Sequence, residues 1–297
     1  MGADLFQSDP AFCRLIDQAS ESAGIDLRAI CLRGPDRDLV KTQYLQPLLV
    51  AVSLGYHRQL ISNGFRPAVV LGHSLGEISA LSAAGVLTPE DAVRVAARRG
   101  ALMGAVAAQL NGGILAVLST NRPRILEVLS DLLQAGHVFL ANDNAPGQLL
   151  LSGLDDGLAA AREAIADARL GACKRLPVAG PWHCPLMLPA QQQFAAWLRD
   201  IPFSEPVVPV LMNASAALGQ SAESIRHLVI RNLTEPVQWR ACMERLAQLR
   251  PRMLYEIGPG RVLSGLARAN GLGNEVQIRN VNRKERGVAW GDVLERH

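Results

Sequence analysis

The pentapeptide Gly72-His73-Ser74-Leu75-Gly76 constrains the possible folds of this chain more than any other stretch. Residues 69–71 before it form an apolar run of strand character, and residues 77–84 after it are rich in helix formers. A G-x-S-x-G sequence between a strand and a helix is typical of a nucleophile elbow, whose turn is so tight that a Cβ at either glycine would crowd a neighbour. The helix N-terminus favours a developing negative charge beside the serine. The sequence therefore predicts Ser74 as a nucleophile, and the alternative is a plain strand-to-helix turn with a surface serine.

Composition and charge exclude several classes of protein. The chain has 297 residues, of which 49% are hydrophobic, enough for one large domain that carries a smaller one. Its net charge of +3 is not that of a nucleic-acid-binding protein, and no apolar run approaches the ~18 residues of a membrane span. The five cysteines are scattered and lack C-x-x-C spacing. We therefore expect no nucleic-acid partner, no membrane contact, and a cytoplasmic location with reduced thiols.

The pattern of strands and helices indicates an α/β protein with two domains. Residues 110–181 alternate between apolar runs and helical patterns in the order β-α-β-β-α-β, which matches a ferredoxin-like unit. We predict this unit as a small subdomain inserted into a large domain made of residues 1–109 and 182–297. Pro209 removes one ladder donor, so its strand is predicted at an edge or only partly paired. In the large domain we predict a helical region with polar breaks at residues 4–33, a helix at 42–62, and strands at 207–212 and 253–257.

A serine nucleophile needs a general base, and one of the six histidines has a suitable context. His183 lies in residues 180–187, a loop directly after the predicted small subdomain. Two prolines stiffen this loop, which suits a group that must be held in place. His73 adjoins Ser74, but its side chain should point away from the serine. Context alone leaves His183 open as either the base or a structural histidine.

Two further features have both a functional and a structural interpretation. Arg98 and Arg99 lie on the helix after the elbow helix, and an arginine that faces a cleft can hold a carboxylate through two hydrogen bonds. A solvated helix charge is the simpler interpretation. Gly258-Pro259-Gly260 precedes a helix as a phosphate loop does, but it lacks the Lys-Ser/Thr of a P-loop. A structural helix start is therefore favoured there.

Several short motifs between about residues 40 and 266 resemble, in sequence and in order, those of the malonyl-CoA:acyl carrier protein transacylases and the related acyltransferase domains of polyketide synthases. The resemblance implies an α/β-hydrolase-like large domain with a parallel central sheet and an inserted ferredoxin-like small subdomain. It places the active site in the cleft between them. The motifs are Thr42-Gln43-x-x-Gln46-Pro47, Gly72-His73-Ser74-Leu75-Gly76-Glu77, Arg99-Gly100-x-x-Met103, Asn144-x-Pro146-Gly147-Gln148, His183-x-x-Leu186-Met187, Pro236-Val237-Gln238-Trp239 and Glu256-Ile257-Gly258-Pro259-Gly260.

The resemblance implies a role for each matching residue. Ser74 takes the acyl group as an ester, His183 accepts its proton and later activates the carrier thiol, and the backbone carbonyl of Asn232 orients the imidazole. Arg99 pairs with the free carboxylate of malonyl, and the Leu75 N–H stabilises the oxyanion. The remaining matches are residues of the substrate cleft: Gln46, Met103, Asn142, Asn144, Gln148 and Trp182.

The implied reaction has two steps: malonyl moves from coenzyme A to Ser74, and then to the phosphopantetheine thiol of an acyl carrier protein. The resemblance implies no metal and no redox cofactor, and we expect a monomer. Two alternatives stay open. One is an acyl-enzyme hydrolase or an acyltransferase for another acyl group, and the other is an inactive subunit that docks the carrier. The motifs do not distinguish a fatty-acid pathway from a polyketide pathway.

The first residues depart from the family pattern. Relatives begin with an apolar strand that ends in Phe-Pro-Gly-Gln-Gly-x-Gln, whereas Met1-Gly2-Ala3-Asp4-Leu5 resembles the segment after that motif. The glutamine normally helps to form the oxyanion hole, and removal of one such donor costs about 2.7–4 kcal/mol. A missing central strand also leaves its neighbours unpaired. We therefore expect a version extended upstream to be more stable and more active.

Overall fold

The computed structural model of this chain describes residues 1–34, 41–274 and 276–282, so residues 283–297 of the predicted large domain lie outside the described residues. Helices and strands together form an α/β fold. The helices are α1 Ala3–Ser8, α2 Pro10–Ala23, α3 Leu27–Arg33, α4 Thr42–Ser62, α5 Gly76–Ala83, α6 Pro89–Ala107, α7 Arg122–Val128, α8 Ser130–Gln134, α9 Asp155–Asp167, α10 Leu188–Leu198, α11 Ala222–Arg231, α12 Trp239–Gln248 and α13 Val262–Ala269. The strands are β1 Val70–Leu71, β2 Gly112–Leu118, β3 Val138–Ala145, β4 Gln148–Leu154, β5 Ala172–Arg175, β6 Val210–Leu211, β7 Met253–Ile257 and β8 Gln277–Val281.

The helical region predicted at residues 4–33 is divided into three helices by two aspartates. Asp9 and Asp26 precede α2 and α3, and their side chains accept hydrogen bonds from backbone N–H groups of the first turn. Such caps satisfy amides that have no partner within the helix, so each aspartate favours the start of a new helix. The buried side chains of α2, among them Phe12 and Ile16, belong to the larger hydrophobic core. The predicted polar breaks are confirmed at these two positions.

The predicted helix at residues 42–62 is confirmed as α4, and α6 packs closely against it. Gly100 on α6 makes this approach possible, because a Cβ there would lie 2.5 Å from the carbonyl oxygen of Thr42. The close packing brings Arg99 on α6 within hydrogen-bond distance of Gln46 on α4. The helix pair therefore forms one wall of the candidate site.

The predicted parallel central sheet is present as two separate parallel pairs in the described part of the chain. β1 pairs with β6 at Val70↔Val210 and Leu71↔Leu211, and β7 pairs with β8 along its whole length. A groove with a volume of about 400 Å³ lies between β1 and β7 and is lined by both strands. No described strand fills this groove, so the two parallel pairs are not joined into one sheet in the described residues.

Pro209 explains why the strand predicted at residues 207–212 is short. Only Val210 and Leu211 form β6. Pro209 has no N–H to donate, although its carbonyl oxygen accepts the N–H of Val70 at 2.9 Å. The side chain of Val207 is 81% exposed and lies outside the sheet. The prediction of a partly paired strand is therefore confirmed.

The β-α-β-β-α-β order predicted within residues 110–181 is present at residues 112–175. Its first helix is divided into α7 and α8, and its strands form one antiparallel sheet in the order β3-β4-β2-β5. This unit has its own hydrophobic cluster. Beyond it, Val237 pairs with β3, because its N–H donates to Ala141 and its carbonyl accepts from Asp143. Those two hydrogen bonds attach the unit to the rest of the chain.

Candidate active site

The corner at residues 72–76 holds Ser74 in a strained backbone conformation. Ser74 has a φ of +51°, which non-glycine residues rarely adopt and which occurs often at functional sites. A Cβ at Gly72 would lie 2.0 Å from the carbonyl carbon and oxygen of Gly76, so only glycine fits there. The crowding predicted at Gly76 is wrong, because a Cβ there would meet no atom within 4 Å. The shape of the corner therefore depends on Gly72.

His183 is hydrogen-bonded to Ser74 through one ring nitrogen and to a backbone carbonyl through the other. Its Nε2 is 2.7 Å from Ser74 Oγ, and its Nδ1 is 2.6 Å from the carbonyl oxygen of Asn232. A carbonyl can only accept, so Nδ1 carries the proton and Nε2 is left to accept from the serine hydroxyl. Burial and the positive charge of Arg99 lower the pKa of His183 from 6.5 to about 3. The imidazole is therefore neutral at neutral pH and free to take a proton.

Arg99 is a buried cation in the wall of the site, with only 2% of its surface exposed. Its guanidinium donates to Gln46 Oε1 at 2.9 Å, and to Ser74 Oγ and Asn232 Oδ1 at 3.2 Å each. Burial lowers the pKa of Arg99 to about 10, so the group stays charged at neutral pH. No carboxylate of the described residues lies at salt-bridge distance from it. A buried charge without a partner is costly, so the site is suited to an anionic ligand.

Glu77 is the buried carboxyl whose charge could offset that of Arg99, but burial disfavours its ionised form. Its side chain is 1% exposed, and burial raises the pKa of Glu77 from 4.5 to about 8. A hydrogen bond from the backbone of Asn213 and the charge of Arg99 oppose this rise without cancelling it. Burial therefore disfavours the charge of the carboxyl that would offset Arg99, and the guanidinium has no salt bridge among the described residues.

Gln46 and Met103 support Arg99 from the two packed helices. Gln46 Nε2 donates to Thr42 Oγ1 at 2.6 Å and lies 3.7 Å from Met103 Sδ. Because the amide nitrogen faces these two atoms, Oε1 faces the guanidinium. Gln46 and Met103 are both buried, so they fix the position of the cation.

Asn144 and Gln148 reach the elbow through His73. Asn144 Oδ1 is 2.8 Å from His73 Nε2, and its Nδ2 donates to Gln148 Oε1 at 2.9 Å. His73 also packs edge-to-face on Trp239 at 5.1 Å between ring centroids. As expected, the His73 side chain is directed to this network, and its contacts join β3 and β4 to the elbow. The structure records no hydrogen bond from Asn144 or Gln148 to Ser74.

Asn142 and Trp182, the last two predicted cleft residues, have no direct contact with the serine among the recorded hydrogen bonds. Asn142 is 2% exposed, and its Oδ1 is buried without a hydrogen-bond partner. Trp182 is half-buried and packs against the larger core and against a small apolar cluster beside β2 and β4. The structure therefore brings Ser74, His183, Asn232 and Arg99 together. It records no hydrogen bond that joins the side chain of Asn142 or Trp182 to this group.

Asn213 is a residue of the site that the sequence prediction did not include. Its side chain accepts the N–H of Ser74 at 2.7 Å. Asn213 follows β6, and Ser74 follows β1, the parallel partner of β6. Residues at the carboxyl ends of neighbouring parallel strands meet at one edge, and this rule is the signal that could have identified Asn213.

No group of three or more His, Cys, Asp or Glu side chains that could hold a metal ion occurs among the described residues. No helix in that part of the chain has the length and apolar character needed to span a membrane.

Comparisons with known proteins agree with this geometry. The model of the acyl transferase domain family matches residues 1–271. The malonyl CoA-acyl carrier protein transacylase of Escherichia coli strain K12 is 35% identical over 269 residues, which are 90% of this chain and 87% of that protein. A solved type II PKS acyl-carrier protein in complex with its malonyl-transacylase matches with a TM-score of 0.89 and 35% identity, covering 96% of this chain and 92% of the other. An acyl carrier protein S-malonyltransferase from Vibrio cholerae matches with a TM-score of 0.90 and 33% identity, covering 99% and 95%.

Proposed function

The chain belongs to the acyl transferase domain family, and on that premise we propose that it moves a malonyl group from coenzyme A to an acyl carrier protein through an ester on Ser74. Arg99 is the observation that supports malonyl in particular. It is a buried cation 3.2 Å from Ser74 Oγ, and no described carboxylate pairs with it. The free carboxylate of a malonyl thioester supplies the missing charge while its carbonyl carbon lies at the serine.

In the first half-reaction, His183 Nε2 takes the proton of Ser74 Oγ as that oxygen attacks the thioester carbonyl. The C–O bond forms, the C–S bond breaks, and the imidazolium returns the proton to the departing coenzyme A thiolate. In the second half-reaction, His183 takes the proton of the phosphopantetheine thiol, and the thiolate attacks the seryl ester. Ser74 Oγ leaves and recovers the proton, so the protein ends in its starting state.

The Leu75 N–H is the backbone donor that we assign to the oxyanion. Ser74 N–H donates to Asn213, and Gly76 N–H donates to the carbonyl of His73. No acceptor among the described residues takes the Leu75 N–H. Leu75 is the N-cap residue of α5, where the helix dipole also favours negative charge.

Several finer statements belong to the same proposal. The sheet order β3-β4-β2-β5 supports a ferredoxin-like insertion, and the elbow between β1 and α5 supports an α/β-hydrolase-like large domain. We take coenzyme A thioester as the donor, a monomer as the active form, and no metal or redox cofactor as necessary. The free cysteines support a reducing, cytoplasmic setting.

The test is covalent loading of the full chain with labelled malonyl-CoA, followed by intact-mass and peptide analysis. We expect one malonyl adduct on Ser74 that is discharged by an acyl carrier protein bearing its phosphopantetheine arm. Ser74→Ala should give no adduct, whereas Ser62→Ala, at an exposed serine at the end of α4, should load normally. Discharge to water at the same rate with and without the carrier would indicate a hydrolase, and carrier binding without any adduct would indicate a docking subunit.

A further inference from the structure

One buried side chain bridges two residues of the nucleophile elbow. Asn213 is fully buried, and its Oδ1 accepts the N–H of Ser74 at 2.7 Å. Its Nδ2 donates to the carbonyl oxygen of Gly72 at 2.8 Å. A single amide plane therefore satisfies two backbone groups of the strained turn, which is the kind of support that a positive φ at Ser74 requires.

The backbone of Asn213 is fixed as firmly as its side chain. Its N–H donates to Glu77 Oε1 at 2.7 Å, and its carbonyl accepts the N–H of Gln238 at 3.1 Å. Glu77 lies in the first turn of α5, directly after the elbow. Asn213 is thus hydrogen-bonded to Gly72 and Ser74 in the turn and to Glu77 at the start of α5.

The amide of Asn213 fits these partners in one orientation. An N–H must face an acceptor and a carbonyl must face a donor, so the contacts assign Oδ1 to Ser74 and Nδ2 to Gly72. A carboxylate would keep the first hydrogen bond but would oppose the Gly72 carbonyl oxygen. An aliphatic side chain would leave two buried backbone groups unsatisfied.

We propose that Asn213 is a positioning residue for the nucleophile: it holds Ser74 Oγ on His183 Nε2, and it occupies the Ser74 N–H so that the Leu75 N–H faces the oxyanion. The role in malonyl transfer rests on the proposed function above. The positioning of Ser74 is independent of that function, because it affects the reaction of the serine with any electrophile. Misplacement of a reacting atom by about 1 Å costs on the order of 10²-fold in rate.

The first test compares Asn213→Ala with the unaltered chain, using two reagents. A phosphonofluoridate reports the reactivity of Ser74 towards any electrophile, and malonyl-CoA reports transfer to the carrier. We expect both the phosphonylation rate and kcat to fall about 10²-fold per folded molecule, with KM for malonyl-CoA unchanged because Arg99 is untouched. If phosphonylation falls and no malonyl transfer exists in either protein, the positioning role stands and the proposed function fails.

The second test separates positioning from stability. In Asn213→Asp, a protonated carboxyl can still accept from Ser74 and donate to Gly72, whereas an ionised one cannot donate. The phosphonylation rate of the variant, divided by that of the unaltered chain, should fall as pH rises through the pKa of this buried carboxyl. The other titratable groups that face Asn213 or its partners are present in both proteins, so a pH dependence that only the variant shows arises from the new carboxyl, acting directly or through their pKa values: Glu77, Arg99, His73, His183 and Cys242.

Asn280→Asp is the matched control for both tests. Asn280 lies on β8 and donates to Glu256 and Ser264, and it has no recorded hydrogen bond to the elbow. We expect this variant to melt at a lower temperature but to react at the unaltered rate per folded molecule. Unaltered rates per folded molecule in both Asn213 variants, or a rate ratio for Asn213→Asp that does not change with pH, would overturn the proposal.

Discussion

Replacement of Arg99 by alanine is the sharpest test of the charge balance in the site. The substitution removes the buried cation that has no described carboxylate partner, and with it the group 3.2 Å from Ser74 Oγ. A malonyl thioester then has to bury its carboxylate without a counter-charge. An acetyl thioester carries no such group. We therefore expect loading of Ser74 from malonyl-CoA to collapse, and loading from acetyl-CoA to fall by a smaller factor.

The size of the difference follows from the burial of Arg99. Removing one partner of a buried charge pair costs about 3–5 kcal/mol. At 1.36 kcal/mol for each factor of ten, kcat/KM for malonyl-CoA should fall by about 10²- to 10⁴-fold. For acetyl-CoA, the lost hydrogen bond to Ser74 Oγ costs about 1.5–3 kcal/mol at most. Loss of the Arg99 charge also raises the pKa of His183, which opposes that cost by making the base stronger.

The assay is single-turnover loading followed by intact mass, with malonyl-CoA and acetyl-CoA in parallel. Arg98→Ala is the matched control, because Arg98 is the exposed neighbour on the same helix and should show unaltered rates. The ratio of the two substrates removes any shared loss of folded protein. If malonyl and acetyl loading fall by the same factor, Arg99 does not bind the carboxylate, and its role is confined to Ser74 Oγ.

Three further perturbations test separate parts of the site. Gly72→Ala should prevent the elbow from forming, since its Cβ would lie 2.0 Å from Gly76, whereas Gly76→Ala should melt near the unaltered temperature because that Cβ has open space; equal melting of the two variants would contradict this. In the unaltered chain the free energy of unfolding should fall as pH rises from 4.5 to about 8, because Glu77 ionises in the unfolded chain and stays protonated in the folded one. Glu77→Gln should abolish this fall. At 1.36 kcal/mol per pKa unit, the variant should gain at most about 5 kcal/mol in free energy of unfolding near pH 8. The same difference in stability between the two proteins at pH 4.5 and at pH 8, measured by chemical denaturation, would refute this. The kcat/KM for malonyl-CoA should show no limb at pH 6.5, because the pKa of His183 is lowered to about 3; a limb at 6.5 in the pH–rate profile would show that the free protein exposes this imidazole.

The elbow could be predicted because its determinants are local. A strand, a glycine and a helix start lie within residues 69–84, and the spacing alone specifies the turn. The cap at Asp9 and the effect of Pro209 are equally local, since each concerns a backbone N–H next to the residue. The identity of the base needed more than context, because the contact of His183 with Ser74 joins positions 109 residues apart.

The contacts that join distant segments could not be predicted. Asn213 lies 139 residues from Ser74 in sequence, and its side-chain hydrogen bonds depend on the register of β6 against β1. The resemblance places Asn144 in the cleft, and the structure gives it His73 as its partner at the elbow. The neighbours of β1 and β7 depend on the topology of the sheet, which the period of apolar residues within a strand does not encode.

In the site without substrate, the positive charge of Arg99 opposes protonation of the catalytic base His183. A neutral His183 is stable because burial and the charge of Arg99 both disfavour its protonated form, yet catalysis requires that form as a transient state. A malonyl carboxylate paired with Arg99 removes one of these two obstacles, because the compensated guanidinium no longer repels the imidazolium. An uncharged acyl group gives no such compensation and meets a weaker base. The same arginine therefore discriminates twice, once by binding the carboxylate and once by releasing the basicity of His183 only when the carboxylate is bound.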